Sequence, residues 1–361
     1  MFQNLCQFRQ RLVRWFAANQ RVLPWRAQAG NADKRPDPYH VLVSEAMLQQ
    51  TQVNTVIPYF LRFIQRLPTL ADLACADEQE VLRLWQGLGY YSRARNLMGT
   101  AKILIQEHGG RVPFNVLELL ELPGIGRYTA GAIASIAHDV RAPILDGNVI
   151  RVLCRLDRIE ADPREPAVRR RLWERAEEIL PRQRAGDFNS ALMDLGATVC
   201  TPRNPRCPSC PVQKHCEAFA AGVQENLPPA RPAKARPIER RWTICIRHRG
   251  QWLIEQRPAK GRWAGMWQFA TLPAADGEPV QEELREQLGV PLQSVRPLMQ
   301  VTHGLTHREY IFDVYLADLA SRRALDVAPR RWMMLAGLAE YPMPRPHLRI
   351  AEHLAALPPS D

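Results

Sequence analysis

The groups in this chain that could do chemistry are four thiols and two carboxylates. Cys200, Cys207, Cys210 and Cys216 stand in CTPRNPRCPSCPVQKHC, a C-x6-C-x2-C-x5-C spacing. Thiolates held this close together in a reducing compartment bind a metal ion or an iron–sulfur cluster, and both zinc and iron–sulfur accept four of them. Zinc ribbons usually take two C-x2-C pairs, whereas this run has one pair flanked by a lone cysteine on each side. Pro202, Pro205, Pro208 and Pro211 favour a tight loop over a helix, and Arg203, Arg206 and Lys214 make that loop basic. A clip that shapes a basic surface fits this composition better than an electron carrier.

The carboxylates are Glu45, in HVLVSEAMLQQTQV, and Asp146, in ILDGNVIRVLCRL. Asp146 directly precedes an apolar-periodic helix, where Asp is a preferred N-cap and Asp-Gly makes a turn. The same position keeps a carboxylate ionised, which suits a group that must face a developing cation. Glu45 has apolar neighbours on both sides and either points to solvent or is partly buried. Burial would raise its pKa toward that of a useful general acid. One protonated carboxyl for the leaving group and one ionised carboxylate for the sugar cation is the division of labour of glycosidic cleavage, and a nucleoside N-glycosidic bond needs the same. Spacing along the chain does not bring the two together.

These groups need elements to position them. From Met1 to about Gly222 apolar residues recur at helical spacing, as in VLVSEAMLQQTQVNTVIPYFLRFI, EVLRLWQGL and AGAIASIA. In LPGIGRYTAGAIASIA (Leu122–Ala137), Gly124 and Gly126 precede a helix whose free N–H groups and positive end suit an anion. This segment resembles a helix–hairpin–helix, a sequence-independent grip on a DNA backbone. Small residues at 130–132, 134 and 135 let a second helix pack close. Leu227–Arg241 reads LPPARPAKARPIERR, an extended basic linker. Beyond it, WTICI, WLIEQR and EYIFDVYLA are strand-like and VQEELREQLG is helical, which predicts an α+β part with a mostly antiparallel sheet.

Composition agrees with this division. The 361 residues are 46% apolar and 24% charged, a globular balance long enough for two or three domains. The formal charge of +11 fits a polyanionic partner. No segment is long and apolar enough to span a bilayer, and the first twenty residues lack a secretory h-region. Cys6, Cys75, Cys154 and Cys245 are scattered and read as packed thiols of a reducing, cytoplasmic compartment.

LPGIGRYTAGAI, LDGNV and the cysteine run together resemble the helix–hairpin–helix DNA glycosylases. LPWR (Leu23–Arg26), SEAMLQQTQVNTVIPYF (Ser44–Phe60) and WQGLGYYSRARNL (Trp85–Leu97) resemble the MutY-type adenine DNA glycosylases, and the likeness runs through nearly the whole chain. It implies three regions. A mainly α glycosylase domain over 1–222 holds the helix–hairpin–helix at 122–137 and an iron–sulfur loop at 200–216. A linker over 223–240 and an α+β Nudix-like lesion-recognition domain over 241–361 follow. It implies one 4Fe–4S cluster on Cys200, Cys207, Cys210 and Cys216.

The implied partner is double-stranded DNA carrying adenine opposite 8-oxoguanine or guanine, bound by a monomer at the nucleoid. Glu45 would protonate the adenine and then activate water. Asp146 would stabilise the sugar cation or bond to it covalently for a time, with Tyr128 and Asn148 orienting these groups and the water. Trp25, Arg26 and Leu48 would line the base pocket, and Gln50 and Tyr90 would probe the oxidised guanine. Gly124 and Gly126 would hold the backbone. Ser190 stands where relatives carry Glu or Gln near the adenine. Leu305-Thr306-His307 replaces the Phe-Ser-His recognition loop, keeping a hydroxyl at Thr306 and losing an aromatic ring at Leu305.

Tyr128 also occupies the place of the Schiff-base lysine of endonuclease III-like relatives, which implies a monofunctional enzyme that leaves an abasic site. A bifunctional lyase and a non-catalytic DNA-binding iron–sulfur protein are the alternatives. In the Nudix signature Glu283 and Glu286 are kept. Glu282 stands in place of Arg, Gln287 in place of a metal-binding Glu, and Gln268 and Ala274 in place of the leading Gly and Glu. The tail therefore reads as a binding domain without hydrolase activity.

Overall fold

Capped turns and apolar stripes divide the N-terminal two thirds of the chain into short helices. A computed structural model describes residues 4–26, 35–230, 235–275, 277–319 and 329–357. The chain forms two units, Met1–Cys75 with Arg95–Pro232, and Ala76–Ala94 with Ala233–Asp361.

The helices run α1 (Leu5–Asn19), α2 (Pro38–Leu48), α3 (Val53–Arg66), α4 (Leu70–Cys75), α5 (Glu78–Trp85), α6 (Ser92–Glu107), α7 (Val116–Leu120), α8 (Arg127–His138), α9 (Gly147–Leu156), α10 (Pro166–Ile179), α11 (Ala185–Thr198) and α12 (Glu217–Ala220). Helix α2 starts where Asp37 accepts from the Tyr39 N–H and Pro38 pre-sets the first turn. Seven of its eleven residues are buried, from Tyr39 to Met47, so it has apolar neighbours on nearly every face. That burial decides the environment of Glu45: the helix has little solvent side to offer it.

Helix α2 packs on α8, and α11 packs on α1, α8 and α9. Phe8, Leu12, Val149, Leu153, Phe188 and Leu192 belong to the core between them. The small residues of α8 have the use the sequence suggested. A Cβ added at Gly131 would fall 2.4 Å from the Pro143 carbonyl oxygen, so only glycine lets the segment that leads to Asp146 lie against this helix.

In the other unit, β1 (Ile238–His248), β2 (Gln251–Gln256), β3 (Trp267–Pro273), β4 (Leu292–Gly304), β5 (Glu309–Leu319) and β6 (Arg330–Met333) form one sheet in the order β4-β5-β1-β3-β2-β6. The sheet is mixed. β1 and β5 pair in parallel from Ile238↔Glu309 to Arg247↔Asp318, and the other ladders are antiparallel. Alternation along β1 sends Trp242, Ile244 and Ile246 to the core with α13 (Gln281–Leu288), and Cys245 to the core with α14 (Arg345–Ala355). β1 already begins at Ile238, inside the basic proline-rich segment. Residues 76–94, with α5, pack with this C-terminal unit, an arrangement that helical periodicity does not signal.

Candidate active site

Three elements of the helical unit bring the sequence-predicted catalytic residues to one cleft, and a fourth adds Ser190, expected near the base. Glu45 comes from the middle of α2, Tyr128 from the first turn of α8, Asp146 from the cap of α9 with Asn148 in its first turn, and Ser190 from α11. The cleft measures about 1080 Å³, and Trp25, Arg26, Leu48, Gln50 and Gly126 also line it.

Glu45 is 5% exposed. Its Oε2 is buried and has no hydrogen-bond partner among the described residues. Burial pushes the carboxyl up to about 7. The Tyr128 hydroxyl works against that push, the charge of Asp146 adds to it, and the charge of Arg26 opposes it. An acid held at that value carries its proton near neutral pH and can part with it.

Asp146 is solvated by the protein instead. Its Oδ1 accepts from the Val149 N–H at 2.7 Å and its Oδ2 from the Asn148 Nδ2 at 3.1 Å. The N-cap role and a site role thus coincide. The cap does not depress the pKa as the sequence suggested. Burial raises it, against the Val149 and Asn148 backbone donors, the Asn148 side chain and the Arg151 charge. Val149, Asn148 and Arg151 all favour its charged form.

Asn148 is itself held: its Oδ1 accepts from Arg151 at 2.8 Å. Arg151 also donates to the carbonyls of Gly196 and Cys200, each at 2.8 Å. One chain of hydrogen bonds therefore runs from Asp146 to the backbone of the cysteine loop. Tyr128 donates to the Met193 Sδ at 3.5 Å. Burial and then the charges of Glu45 and Asp146 push its phenol far above the ordinary value, so it stays neutral.

The residues expected to line the base pocket divide. Trp25 is buried edge-on against Phe60, ring centroids 5.3 Å apart. Arg26 lines the cleft, yet its guanidinium is engaged elsewhere. It grips Asp194 through two hydrogen bonds of 2.8 and 2.9 Å, and Arg21 adds a third at 2.7 Å. Burial alone would raise Asp194, but the Arg26 bonds and the two positive charges outweigh it and hold the carboxylate below its ordinary value. Gln50 is exposed at the cleft with φ +60, a strained conformation for a non-glycine residue. Ser190 is 6% exposed.

Gly124 has φ +75, and a Cβ there would fall 2.5 Å from the Asn96 Nδ2, so the hairpin needs glycine. Gly126 caps α8 facing open space, which leaves the first N–H groups of that helix accessible.

Tyr90, Thr306 and His307 belong to the other unit. The Tyr90 hydroxyl and the Thr306 Oγ1 are 2.5 Å apart, and His307 is exposed. Leu305, half-buried, packs against the core of its own unit. On α13 the kept glutamates Glu283 and Glu286 are exposed, and Gln268 is buried between Arg257 and Glu255.

All four cysteines of the run line one cavity with Val152, Leu195 and Val212. Among the described residues, no three or more His, Cys, Asp or Glu side chains are placed so as to hold a single metal ion. The buried Arg155 donates to the Cys200 Sγ at 3.3 Å and to the carbonyls of Thr201, Pro202 and Leu227. Four thiols sharing one apolar cavity beside a buried cation could together hold an anionic metal cluster.

Sequence reasoning missed Arg151, Met193 and Asp194. Arg151 had a signal, since it follows Asn148 by three on the same helix face. The other two had none.

Comparison with known proteins identifies both parts of the chain. Residues 43–178 match the HhH-GPD superfamily base excision DNA repair protein family, and residues 241–353 match the NUDIX domain. The adenine DNA glycosylase of Mus musculus is 39% identical over 91% of this chain and 74% of its own length. That of Homo sapiens is 38% identical over 90% of this chain and 70% of its own. A solved thermostable thymine-DNA glycosylase superposes on 59% of this chain and 95% of its own, with TM-score 0.51 and 29% identity. With helical and Nudix-like parts in this order and the identity running through both, the chain belongs to the adenine DNA glycosylase family.

Proposed function

We propose that this protein hydrolyses the N-glycosidic bond of adenine mispaired with 8-oxoguanine or guanine in double-stranded DNA, as a monomer in the cytoplasm. One observation carries the reading. A buried carboxyl raised to about 7 shares a cleft with a second carboxylate held by two donors. The +11 charge and the open N-terminus of α8 behind Gly124 and Gly126 support a DNA partner.

The base must leave the stack, because neither carboxylate can reach the bond inside a duplex. The Glu45 proton goes to N7 of the extruded adenine, and the C1′–N9 electron pair leaves with the base. The Asp146 carboxylate faces the sugar cation that forms. Water then adds at C1′ and gives its proton to Glu45, which restores the acid. Tyr128 stays neutral beside Glu45, and Asn148 fixes the Asp146 oxygen. A phenol cannot form an imine with the sugar, so the product is an abasic site and the strand stays whole. Trp25, Leu48 and Ser190 border the space for the base.

Cys200, Cys207, Cys210 and Cys216 would hold a 4Fe–4S cluster. When bound, it supplies a rigid anchor for the basic loop and a counter-charge for Arg155. Tyr90, Thr306 and His307 would contact the oxidised guanine, and the exposed Glu283 and Glu286 with Gln287 leave the Nudix-like unit a binding role.

Duplexes carrying adenine opposite 8-oxoguanine test this. The expected result is adenine release, with strand cleavage only after hot alkali. Cleavage without alkali would replace the reading by a lyase, and no release would end it. Absorption near 400 nm with about four irons per chain is expected of the purified protein.

A further inference from the structure

The element that presents Tyr90 is bound to the Nudix-like unit through two glutamines. Helix α5 and the turn after it, residues 76–94, pack with that unit. Gln79 uses both ends of its amide there. Its Nε2 donates to the Gly265 carbonyl at 3.1 Å, and its Oε1 accepts from the Trp267 indole N–H at 3.1 Å. Trp267 is 5% exposed, so its N–H needs that partner. Two turns later, at the end of α5, the Gln86 Oε1 accepts from the Met343 N–H at 2.9 Å.

The turn beyond Gln86 is braced from within. The Trp85 indole N–H and Arg93 both donate to the Gly89 carbonyl, Arg93 also donates to that of Leu88, and the Tyr91 hydroxyl accepts from the Gly87 N–H. A stiff turn on a fixed helix leaves Tyr90 little freedom, and its φ of +47 is a conformation that surroundings must impose. Its ring is 42% exposed while its hydroxyl meets Thr306.

We infer that Gln79 is a positioning residue for lesion discrimination: it clamps α5 to β3 so that Tyr90 and Thr306 are presented as one preassembled pair. The inference rests on the proposal that these two residues contact 8-oxoguanine. Gln79 lies eight residues before the family-like GLGYYSR run and touches no catalytic group, so nothing in that run identifies it. Loss of the clamp frees the pair, and binding then has to order it again.

The test compares wild type, Gln79→Ala, Thr306→Ala and the double variant in single-turnover adenine release opposite 8-oxoguanine and opposite guanine. Gln79→Ala is expected to cut the 8-oxoguanine preference about tenfold while release opposite guanine stays within about twofold. In the double variant the two losses are expected to be strongly non-additive. A preserved preference, an equal loss on both duplexes, or full additivity overturns the inference. Hydrogen exchange of the free protein tests the clamp without DNA. Faster exchange over residues 87–93 in Gln79→Ala is expected, and unchanged exchange overturns it. A wild-type protein with no preference, whose turn nonetheless loosens in Gln79→Ala, counts against the lesion reading and for the clamp.

Discussion

Replacing Glu45 by Gln should remove activity and stabilise the protein, by an amount that depends on pH. The Glu45 carboxyl titrates at about 7 in the folded chain, against an ordinary value of 4.5. The folded value is raised, so as pH climbs the unfolded chain gives up this proton first. Native stability then falls from about pH 4.5 to about pH 7 and stays lower beyond. A gap of about 2.5 pH units at 1.36 kcal/mol each makes the loss about 3 kcal/mol.

Glutamine keeps the shape without the charge. Its amide brings its own cost of about 1 kcal/mol, because Oε2 already lacks a partner, but that cost is the same at every pH. The gain from Glu45→Gln should therefore be about 3 kcal/mol larger at pH 8 than at pH 4. That corresponds to roughly 5–10 °C in the melting midpoint of a unit this size. Thermal and urea unfolding at the two pH values, followed by the helical circular dichroism signal, measure it. Adenine release should be lost at both. A gain that is equal at both pH values, or a loss at pH 8, would refute burial as the cause of the raised value.

Three further outcomes follow from the same geometry. Tyr128→Phe removes the hydroxyl that favours ionised Glu45. The alkaline limb of the single-turnover rate should then move to higher pH by about one unit, whatever happens to the plateau; an unmoved or lowered limb counts against the contact. Gly131→Ala should cost about 1–3 kcal/mol in urea unfolding and slow adenine release, because the new methyl meets the Pro143 carbonyl oxygen at 2.4 Å. Arg155→Met removes the donor to Cys200 and the ties to three carbonyls, so the 400 nm absorbance should bleach several-fold faster in air. Equal bleaching would mean that Arg155 serves packing alone.

The chemistry was more legible in the sequence than its setting. Cys200 to Cys216, the Gly124 hairpin and the Asp146 cap are local patterns, and local patterns survive folding because their cause lies within a few residues. Glu45 was ambiguous for a physical reason. A helix that is apolar on most sides can be read as buried, but only the packing of α2 against α8 decides whether its one acid is buried with it.

The LPWR resemblance put Arg26 at the base pocket, and it lines the cleft, but nothing in the sequence signalled its ionic partner. Asp194 lies 168 residues away along the chain. The attachment of α5 to the Nudix-like unit was hidden for the same reason, since Gln79 meets Trp267 across 188 residues. The parallel pairing of β1 with β5 cannot be read from strand pattern at all, as alternation fixes faces and not neighbours.

The central claim is that Glu45 and Asp146 divide the cleavage between them, one as acid and one as the counter-charge of the sugar cation. Single-turnover adenine release by Asp146→Asn, with DNA affinity measured on the same duplex, tests it most directly. Asn keeps the cap to Val149 and loses the charge. The rate is expected to fall by about a hundredfold to a thousandfold or more, with affinity within a few-fold of wild type. A near-normal rate in a well-folded Asp146→Asn protein would contradict it.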